Sequence, residues 1–221
     1  MTGIHQALAG AGSINLQLES FSSGSDASAG TNHVVTLPAN LTGRMVYLIT
    51  AHRAGAVACT RPTGWSLVFQ NNTYPDSLEW SFWYKLCDGS EGATATFTSA
   101  SSIRAAWLVY SFVNQIATTS NAVTDFLSPP AANTTPDPPS YNDAQTYSGS
   151  VAAMMASATT TTVLSYPTNW DQGQQSVTGG TGASGFVLAG AYRFNEAVNQ
   201  DPGTFSISAS VQTGAATIII K

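Results

Sequence analysis

The stretch RPTGWSLVF at residues 61–69 returns in altered form as YPTNWDQGQ at residues 166–174. Each copy follows a long apolar run, so a Pro-Thr-Gly/Asn-Trp sequence closes the same kind of segment twice. Three explanations are open: a chance repetition, a pair of tryptophans that stack on sugars, and an internal duplication of the chain. The rest of the sequence decides between them.

The duplication is supported by further matches that occur in the same order along the chain. The matched pairs are residues 62–65 with 167–170, 78–86 with 186–194, Phe97 with Phe205, and Ala105-Ala106 with Ala215-Ala216. The register between the copies changes only in loops, where insertions are tolerated. This ordered series favours a duplication over chance, and it predicts two halves, at about residues 31–125 and 140–221.

Apolar residues recur at every second position through most of the chain, which is typical of strands. In residues 78–86 one face carries large apolar side chains and the other carries Glu79, Ser81 and Lys85. Residues 45–51 and 105–113 are apolar on nearly both faces, as in central strands that are covered on both sides. The sequence therefore predicts an all-β protein of about eleven strands.

One Pro-rich stretch indicates the domain organisation. Residues 128–140, SPPAANTTPDPPS, exclude a helix or a central strand. We interpret them as the crossover between two halves that bury one apolar face against each other. The prediction is a single jelly-roll-like antiparallel β-sandwich over residues 31–221, favoured over two small domains in a row. Residues 1–30 are rich in Gly and Ser and are predicted to form an N-terminal arm that orders against a partner.

The repeated motif has a structural explanation. Proline followed by Gly or Asn is typical of a tight turn in which the third residue adopts a positive φ. The tryptophan that follows would bury its ring at an end of the sandwich, which is favoured over a sugar-stacking role. The residues assigned to the two turns and their buried rings are Pro62, Gly64, Trp65, Pro167, Asn169 and Trp170.

The composition argues against some classes of function. Charged residues make up 9% of the chain, which has seven basic residues and a net charge of −5. Binding to a nucleic-acid backbone requires clustered Lys and Arg, so it is not expected. No segment has the ~18 apolar residues of a membrane helix. The N-terminal sequence has no basic region and only a short apolar stretch, so a secretory signal is not expected. We expect synthesis in a cytoplasm, and therefore reduced thiols at Cys59 and Cys87.

Several motifs in a fixed order resemble those of tailed-phage virion structural proteins. They are PTGWSLV from residue 62, WYKLCDGSEGATATFT from 83, AAWLVYSF from 105, AGAYRF from 189, DPGTFSIS from 201 and AATIII from 215. The resemblance covers most of residues 36–221. It implies a non-enzymatic β-sandwich on the virion surface, as a capsid decoration or cement protein or in a tail appendage. Its partners would be other virion proteins, and we expect a homo-oligomer, with a trimer as the default.

Residues that could support catalysis or metal binding are few. The available combinations are His52, Cys59, Cys87 and Asp88 for a metal ion, Glu79 and Glu91 for glycoside hydrolysis, and Asp125, Asp137 and Asp143 for Ca²⁺. Simpler roles are favoured: packed thiols, an exposed strand position for Glu79 and a turn position for Glu91. We therefore expect neither an enzyme nor a bound cofactor.

Carbohydrate or receptor binding is the main alternative. The candidate ligand-facing aromatic residues are Tyr74, Tyr141, Tyr147 and Tyr166, together with the two motif tryptophans if their rings are exposed. The side chains of Asn71, Asn72 and Gln174 could bind hydroxyl groups. Under this alternative the protein is a tail-fibre module that binds a glycan on the host surface.

Overall fold

The structure, a computed structural model, describes residues 16–71, 78–114, 132–142, 149–157, 160–194 and 199–220. These residues form antiparallel strands and one short 3-10 helix, Gly182–Ser184. The first half contains β1 (Gln17–Ser25), β2 (Gly30–Thr36), β3 (Met45–Arg53), β4 (Cys59–Thr60), β5 (Ser66–Asn71), β6 (Leu78–Leu86), β7 (Thr94–Ile103) and β8 (Ala105–Val113). The second contains β9 (Tyr141–Asn142), β10 (Gly149–Ser157), β11 (Val163–Ser165), β12 (Gln172–Gly179), β13 (Phe186–Phe194), β14 (Asn199–Gln200), β15 (Ser206–Ile207) and β16 (Thr213–Ile220).

Each half contributes one large sheet, and the two sheets have the same strand order. The first half forms β1-β8-β3-β6-β5 and the second forms β16-β10-β13-β12. If β8, β3, β6 and β5 are matched with β16, β10, β13 and β12, the second sheet repeats the first, apart from β1. Smaller layers repeat as well: β2-β7-β4 in the first half, and β11-β15 in the second. The common order supports the duplication that the sequence predicts.

Three hydrophobic cores lie between these layers. The central core lies between the two large sheets and includes Tyr47, Trp80 and Leu108 from one half and Met155 and Leu188 from the other. The opposite face of each large sheet packs against its own small layer and forms a second or a third core. The prediction of an all-β fold with packed antiparallel sheets is confirmed. The sequence predicts one core between the two halves, whereas the structure has three, because both faces of each large sheet are buried. The jelly-roll topology stays a prediction.

The two large sheets face each other in opposite strand order. β8 contacts β12 and β13, β3 contacts β13, and β6 contacts β10. In the matching above, β10 corresponds to β3 and β13 corresponds to β6. Strand β3 therefore packs on the equivalent of β6, and β6 packs on the equivalent of β3. This reciprocity is typical of the interface between two subunits related by a twofold axis. The two halves are therefore related by an approximate twofold axis within one chain.

The N-terminal prediction is wrong for part of its range. Residues 17–25, expected to belong to an arm, form β1 and pair with β8 along the edge of the five-stranded sheet. Leu16 is buried in the central core and Leu18 packs against it. A strand can join a sheet through backbone hydrogen bonds even when its side chains contribute little apolar surface, which explains the error. Residues 1–15 lie outside the described residues.

Candidate functional site

The two Pro-Thr-Gly/Asn-Trp motifs form the same turn in both halves. The backbone N–H of Trp65 donates to the carbonyl of Pro62 at 3.1 Å, and that of Trp170 donates to the carbonyl of Pro167 at 3.0 Å. The third residue of each turn has a positive φ, 78° at Gly64 and 67° at Asn169. Asn is one of the few residues with a side chain that tolerate this conformation, so it can replace Gly here.

Both motif tryptophans are buried rather than presented at the surface. Trp65 is 5% exposed and packs in the core beneath the small sheet of the first half. Trp170 is 1% exposed and occupies the corresponding core of the second half, with the guanidinium of Arg193 5.0 Å from its ring centre. Neither ring offers the open face that stacking on a sugar requires, so their geometry favours the buried plug.

Of the four tyrosines proposed as ligand contacts, the structure describes Tyr166 and Tyr141. Tyr166 is half-buried and its ring packs against Phe205 at 5.8 Å. Tyr141 is half-buried at the start of β9. Tyr74 and Tyr147 lie outside the described residues, as does Asn72. Gln174 donates its side-chain amide to the carbonyl of Trp170, so it supports the turn.

The first turn separates two surface cavities. One has a volume of about 420 Å³ and lies beside β4 and β5; its lining includes Arg61, Pro62, Gly64, Leu67, Gln70 and Trp83. The other has a volume of about 300 Å³ and lies towards the DGSEG turn, residues 88–92. Its lining includes Leu37, Thr63, Lys85, Ser90, Glu91 and Thr96. Both linings mix polar and apolar groups at the surface, as protein contact regions do.

The DGSEG sequence is a self-contained turn around Glu91. The carboxylate of Glu91 accepts hydrogen bonds from the N–H groups of Asp88 and Gly89 at 3.0 and 2.9 Å, and lies 3.0 Å from Nζ of Lys85. Burial alone would raise the pKa of Glu91, but the Lys85 contact and the backbone N–H groups outweigh it and lower that pKa. Glu91 is thus committed to the turn, as the sequence predicts.

Glu79 is buried, although the sequence predicts an exposed strand position for it. It is 2% exposed and lies opposite His52 in the β3–β6 pair, with Oε2 of Glu79 3.4 Å from Nε2 of His52. The face that carries Glu79 is covered by the small sheet of the first half, which the alternation in β6 alone does not reveal. Burial raises the pKa of Glu79 to about 7. Burial, assisted by the nearby His33, lowers the pKa of His52 to about 4.

The proposed metal ligands are unsuited to a cation in this arrangement. Cys59 and Cys87 are both buried free thiols, and burial raises the pKa of each to about 12. A thiol must lose its proton to bind a metal ion, so both are poor ligands here. Within the described part of the chain, no three His, Cys, Asp or Glu side chains come together as a metal site.

The proposed Ca²⁺ ligands are only partly described. Asp125 and Asp143 lie outside the described residues. Asp137 is described, and burial together with the nearby charge of Asp201 raises its pKa. Asp201 is distant from Asp137 in the sequence, so spacing could not have paired the two.

An Asp-His-Ser series that the sequence did not reveal links three segments. Nδ1 of His33 lies 2.6 Å from Asp26 Oδ2, and Nε2 lies 2.9 Å from Oγ of Ser99. However, the Ser99 hydroxyl donates to the carbonyl of Ser101 at 2.7 Å, and His33 is 0% exposed. A nucleophilic serine must give its proton to the histidine and meet a substrate. This series therefore fits a structural connection between β2, β7 and the loop that joins β1 to β2.

The chain matches no protein-family model, no curated protein and no solved structure. In the part of the chain that the structure describes, no helix has the length and hydropathy needed to cross a membrane. The class defined by the fold is an antiparallel β-sandwich made of two similar halves, whose two motif tryptophans are buried.

Replacing Glu79 with glutamine should change how stability depends on pH. The pKa of Glu79 is raised in the folded protein, so its contribution to stability is present at pH 4–5 and is lost as the pH rises to about 7. We expect the Glu79→Gln variant to be relatively more stable at pH 8 than at pH 5, by about 1–2 kcal/mol in the difference from wild type. Urea unfolding at both pH values measures this difference.

Glu19→Gln is the matched control, because Glu19 is an exposed partner of Arg44. The contribution of His52, which is lost as the pH falls from 6.5 to about 4, is shared by the wild type and the Glu19→Gln control. Parallel stability curves for the wild type and Glu79→Gln would contradict the prediction.

Proposed function

We propose that this protein is a non-enzymatic structural component of a bacteriophage virion that decorates or cements the particle surface. The motif series quoted above supports the virion assignment, and the layered sandwich supports a bracing role. The imidazole and carboxylate groups of His33, His52 and Glu79, which a catalyst would need at a cleft, are buried between sheets. These groups are therefore not accessible to a substrate.

The proposal is supported mainly by the position of the large exposed apolar side chains. Phe21, Val34, Leu67 and Leu164 are 47%, 53%, 45% and 65% exposed, and belong to β1, β2, β5 and β11. Among the described strands, each of these is an outermost strand of its sheet. Exposed edges with apolar side chains promote association with other chains. Such edges fit a protein that is covered by neighbours when assembled.

Low charge fits the same role. Charged residues are 9% of the chain, so contacts made by its surface rely on hydroxyl, amide and apolar groups. Contacts of this kind depend less on ionic strength than ion pairs do. In this proposal, copies associate into a closed homo-oligomer, with a trimer as the default, and contact other virion proteins through loops, edge strands and the N-terminal residues.

The experiment is an incorporation assay with polar edge variants. Phe21→Thr, Val34→Thr, Leu67→Thr and Leu164→Thr are combined in one protein, since Thr favours strands. We expect the variant to unfold at nearly the wild-type temperature but to be incorporated into particles at least about tenfold less. Quantitative mass spectrometry of purified particles, with heads and tails separated, gives the copy number and the location.

Leu86→Thr is the control, because Leu86 is 39% exposed but lies at the end of β6, which has a neighbour on each side. It should be incorporated normally. Absence of the wild-type protein from purified particles would overturn the proposal. Normal incorporation of the fourfold variant would overturn the edge contacts.

A further inference from the structure

The larger of the two cavities beside the first turn lies between two strand edges. This cleft has a volume of about 420 Å³ and is bordered by β4 of the small sheet and β5 of the large sheet. In the part of the chain that the structure describes, each of these strands has a neighbour on one side only. Thr60, Arg61 and Leu67 of the lining are exposed. The cleft therefore offers strand edges, an apolar side chain and a cation to a partner.

The cleft has a fixed width and a positive charge. The side-chain amide of Gln70 in β5 donates to the carbonyl of Cys59 in β4 at 3.0 Å, which holds the two edges together. None of the described lining residues is acidic, and Arg61 is the charged residue among them. Its guanidinium has no hydrogen bond or ion pair with another described residue. Arg61 is thus available to a negative group from outside the chain.

At the corresponding place in the second half, an apolar side chain protrudes. Strand β11 pairs with β15 as β4 pairs with β7, but the register shifts between Val163 and Ser165, which leaves Leu164 as an extra residue in a bulge. A bulge redirects a side chain out of the regular strand. Leu164 is 65% exposed, more than any other large apolar side chain that the structure describes. The two halves therefore differ here, with a cleft in one and a protruding leucine in the other.

The charges at these two places are complementary. When the two turns are aligned, Asp171 occupies the position of Ser66, which adjoins Leu67 of the cleft. The duplication therefore places Asp171 on the same side of the second half as Leu164. Asp171 is exposed, and its carboxylate has no hydrogen-bond or ion-pair partner among the described residues. An acid beside the protruding leucine thus matches the cation beside the cleft.

We propose that the cleft of one copy receives β11 of a second copy, with Leu164 packed against Leu67 and Asp171 facing Arg61. Burial of the two leucines removes apolar surface from water, and the ion pair orients the contact. Each copy carries one cleft and one protruding leucine, so the contact links copies head to tail and closes into a ring, such as the trimer proposed above. The inference rests on the self-association in the proposed function and not on the virion assignment.

The test is sedimentation velocity on the purified full chain over a series of concentrations, with Leu164→Thr as the main variant. We expect the wild type to self-associate, and the variant to require at least about tenfold higher concentration for the same degree of association. Leu86→Thr is the matched control, because Leu86 is 39% exposed but does not line the cleft. A wild type that stays monomeric, or undiminished association of a folded Leu164→Thr variant, would overturn the inference.

Charge reversal tests the contact of Arg61 with Asp171. R61E and D171R each bring like charges together, so each should weaken association at least about threefold. R61E/D171R restores opposite charges and the net charge of the wild type, and it should recover most of the association. If the double variant associates no better than the single variants, the two residues do not meet and the proposed orientation is wrong.

Disulfide formation identifies the surface that fills the cleft. Leu67→Cys and Leu164→Cys chains are mixed and oxidised, while the native thiols of Cys59 and Cys87 are buried. We expect the main crosslink to join the two different variants. A main crosslink between two Leu164→Cys chains would mean that β11 pairs with itself, and would overturn the cleft as the site.

The outcome for the cleft is separable from that for the proposed function. A monomeric wild type that is nevertheless incorporated into particles would overturn the cleft contact alone. A wild type that self-associates through the cleft but is absent from particles would overturn the virion assignment alone.

Discussion

Replacing Trp170 with alanine is expected to destabilise the protein by about 3–5 kcal/mol, because removing a buried indole leaves a cavity as well as losing apolar contacts. Trp170 is 1% exposed and fills the outer core of the second half. The Trp65→Ala variant should lose a similar amount, since Trp65 fills the corresponding core of the first half. Unfolding in urea, followed by circular dichroism, measures both.

Trp170→Phe is the control for this prediction, because it keeps an aromatic ring in the core and should lose about 1–3 kcal/mol. The sugar-stacking alternative makes the opposite prediction. It requires both alanine variants to keep their stability and to lose binding on a glycan array. That outcome would contradict the buried positions of the two rings.

Adding a side chain at Gly190 should destabilise the protein nearly as much as replacing either tryptophan with alanine. Gly190 lies in β13, where an added Cβ would be 2.7 Å from the hydroxyl of Tyr110 and 2.9 Å from Cδ1 of Leu108 in the facing sheet. The Gly190→Val variant would push the two large sheets apart, and we expect a loss of about 3 kcal/mol or more. The midpoint of urea unfolding should fall, and binding of a hydrophobic dye should increase as the central core loosens.

Gly30→Ala is the control, because an added Cβ there has no neighbour closer than 3.8 Å. It should change stability by no more than about 1 kcal/mol. If Gly190→Val kept the wild-type stability, the face-to-face packing of the two halves would have to be abandoned.

Local features of the fold could be predicted from the sequence because they depend on near neighbours. Alternating apolar residues predicted strands such as β6, and the tight turns at Gly64 and Asn169 follow from residues that tolerate a positive φ. The duplication was visible because both copies keep the turn and the tryptophan. The match of Ala105-Ala106 with Ala215-Ala216 has a different register in the structure, since Ala106 pairs with Ala51 and Gly214 pairs with Met155 of β10. A shift of two residues keeps the same face buried, so the pattern alone could not detect it.

Features that depend on distant segments could not be predicted. The alternation of Glu79 with apolar residues predicts an exposed position, and nothing near it in the sequence indicates the sheet that covers it. His33 and Ser99 are 66 positions apart, and Arg104 and Thr181 are 77 apart. Spacings of this length follow from strand pairing and sheet packing, and no local motif marks them.

The central core also has a consequence for synthesis on the ribosome. The five-stranded sheet is complete once β8 has been translated, but the strands that cover its inner face, β10, β12, β13 and β16, follow later. At ~5–20 residues per second, the roughly one hundred residues from β8 to the end of β16 take about 5–20 s to produce. During that interval Tyr47, Trp80 and Leu108 lack their partners from the second half. Chaperones that bind exposed apolar surface should therefore act on the nascent chain mainly at this stage.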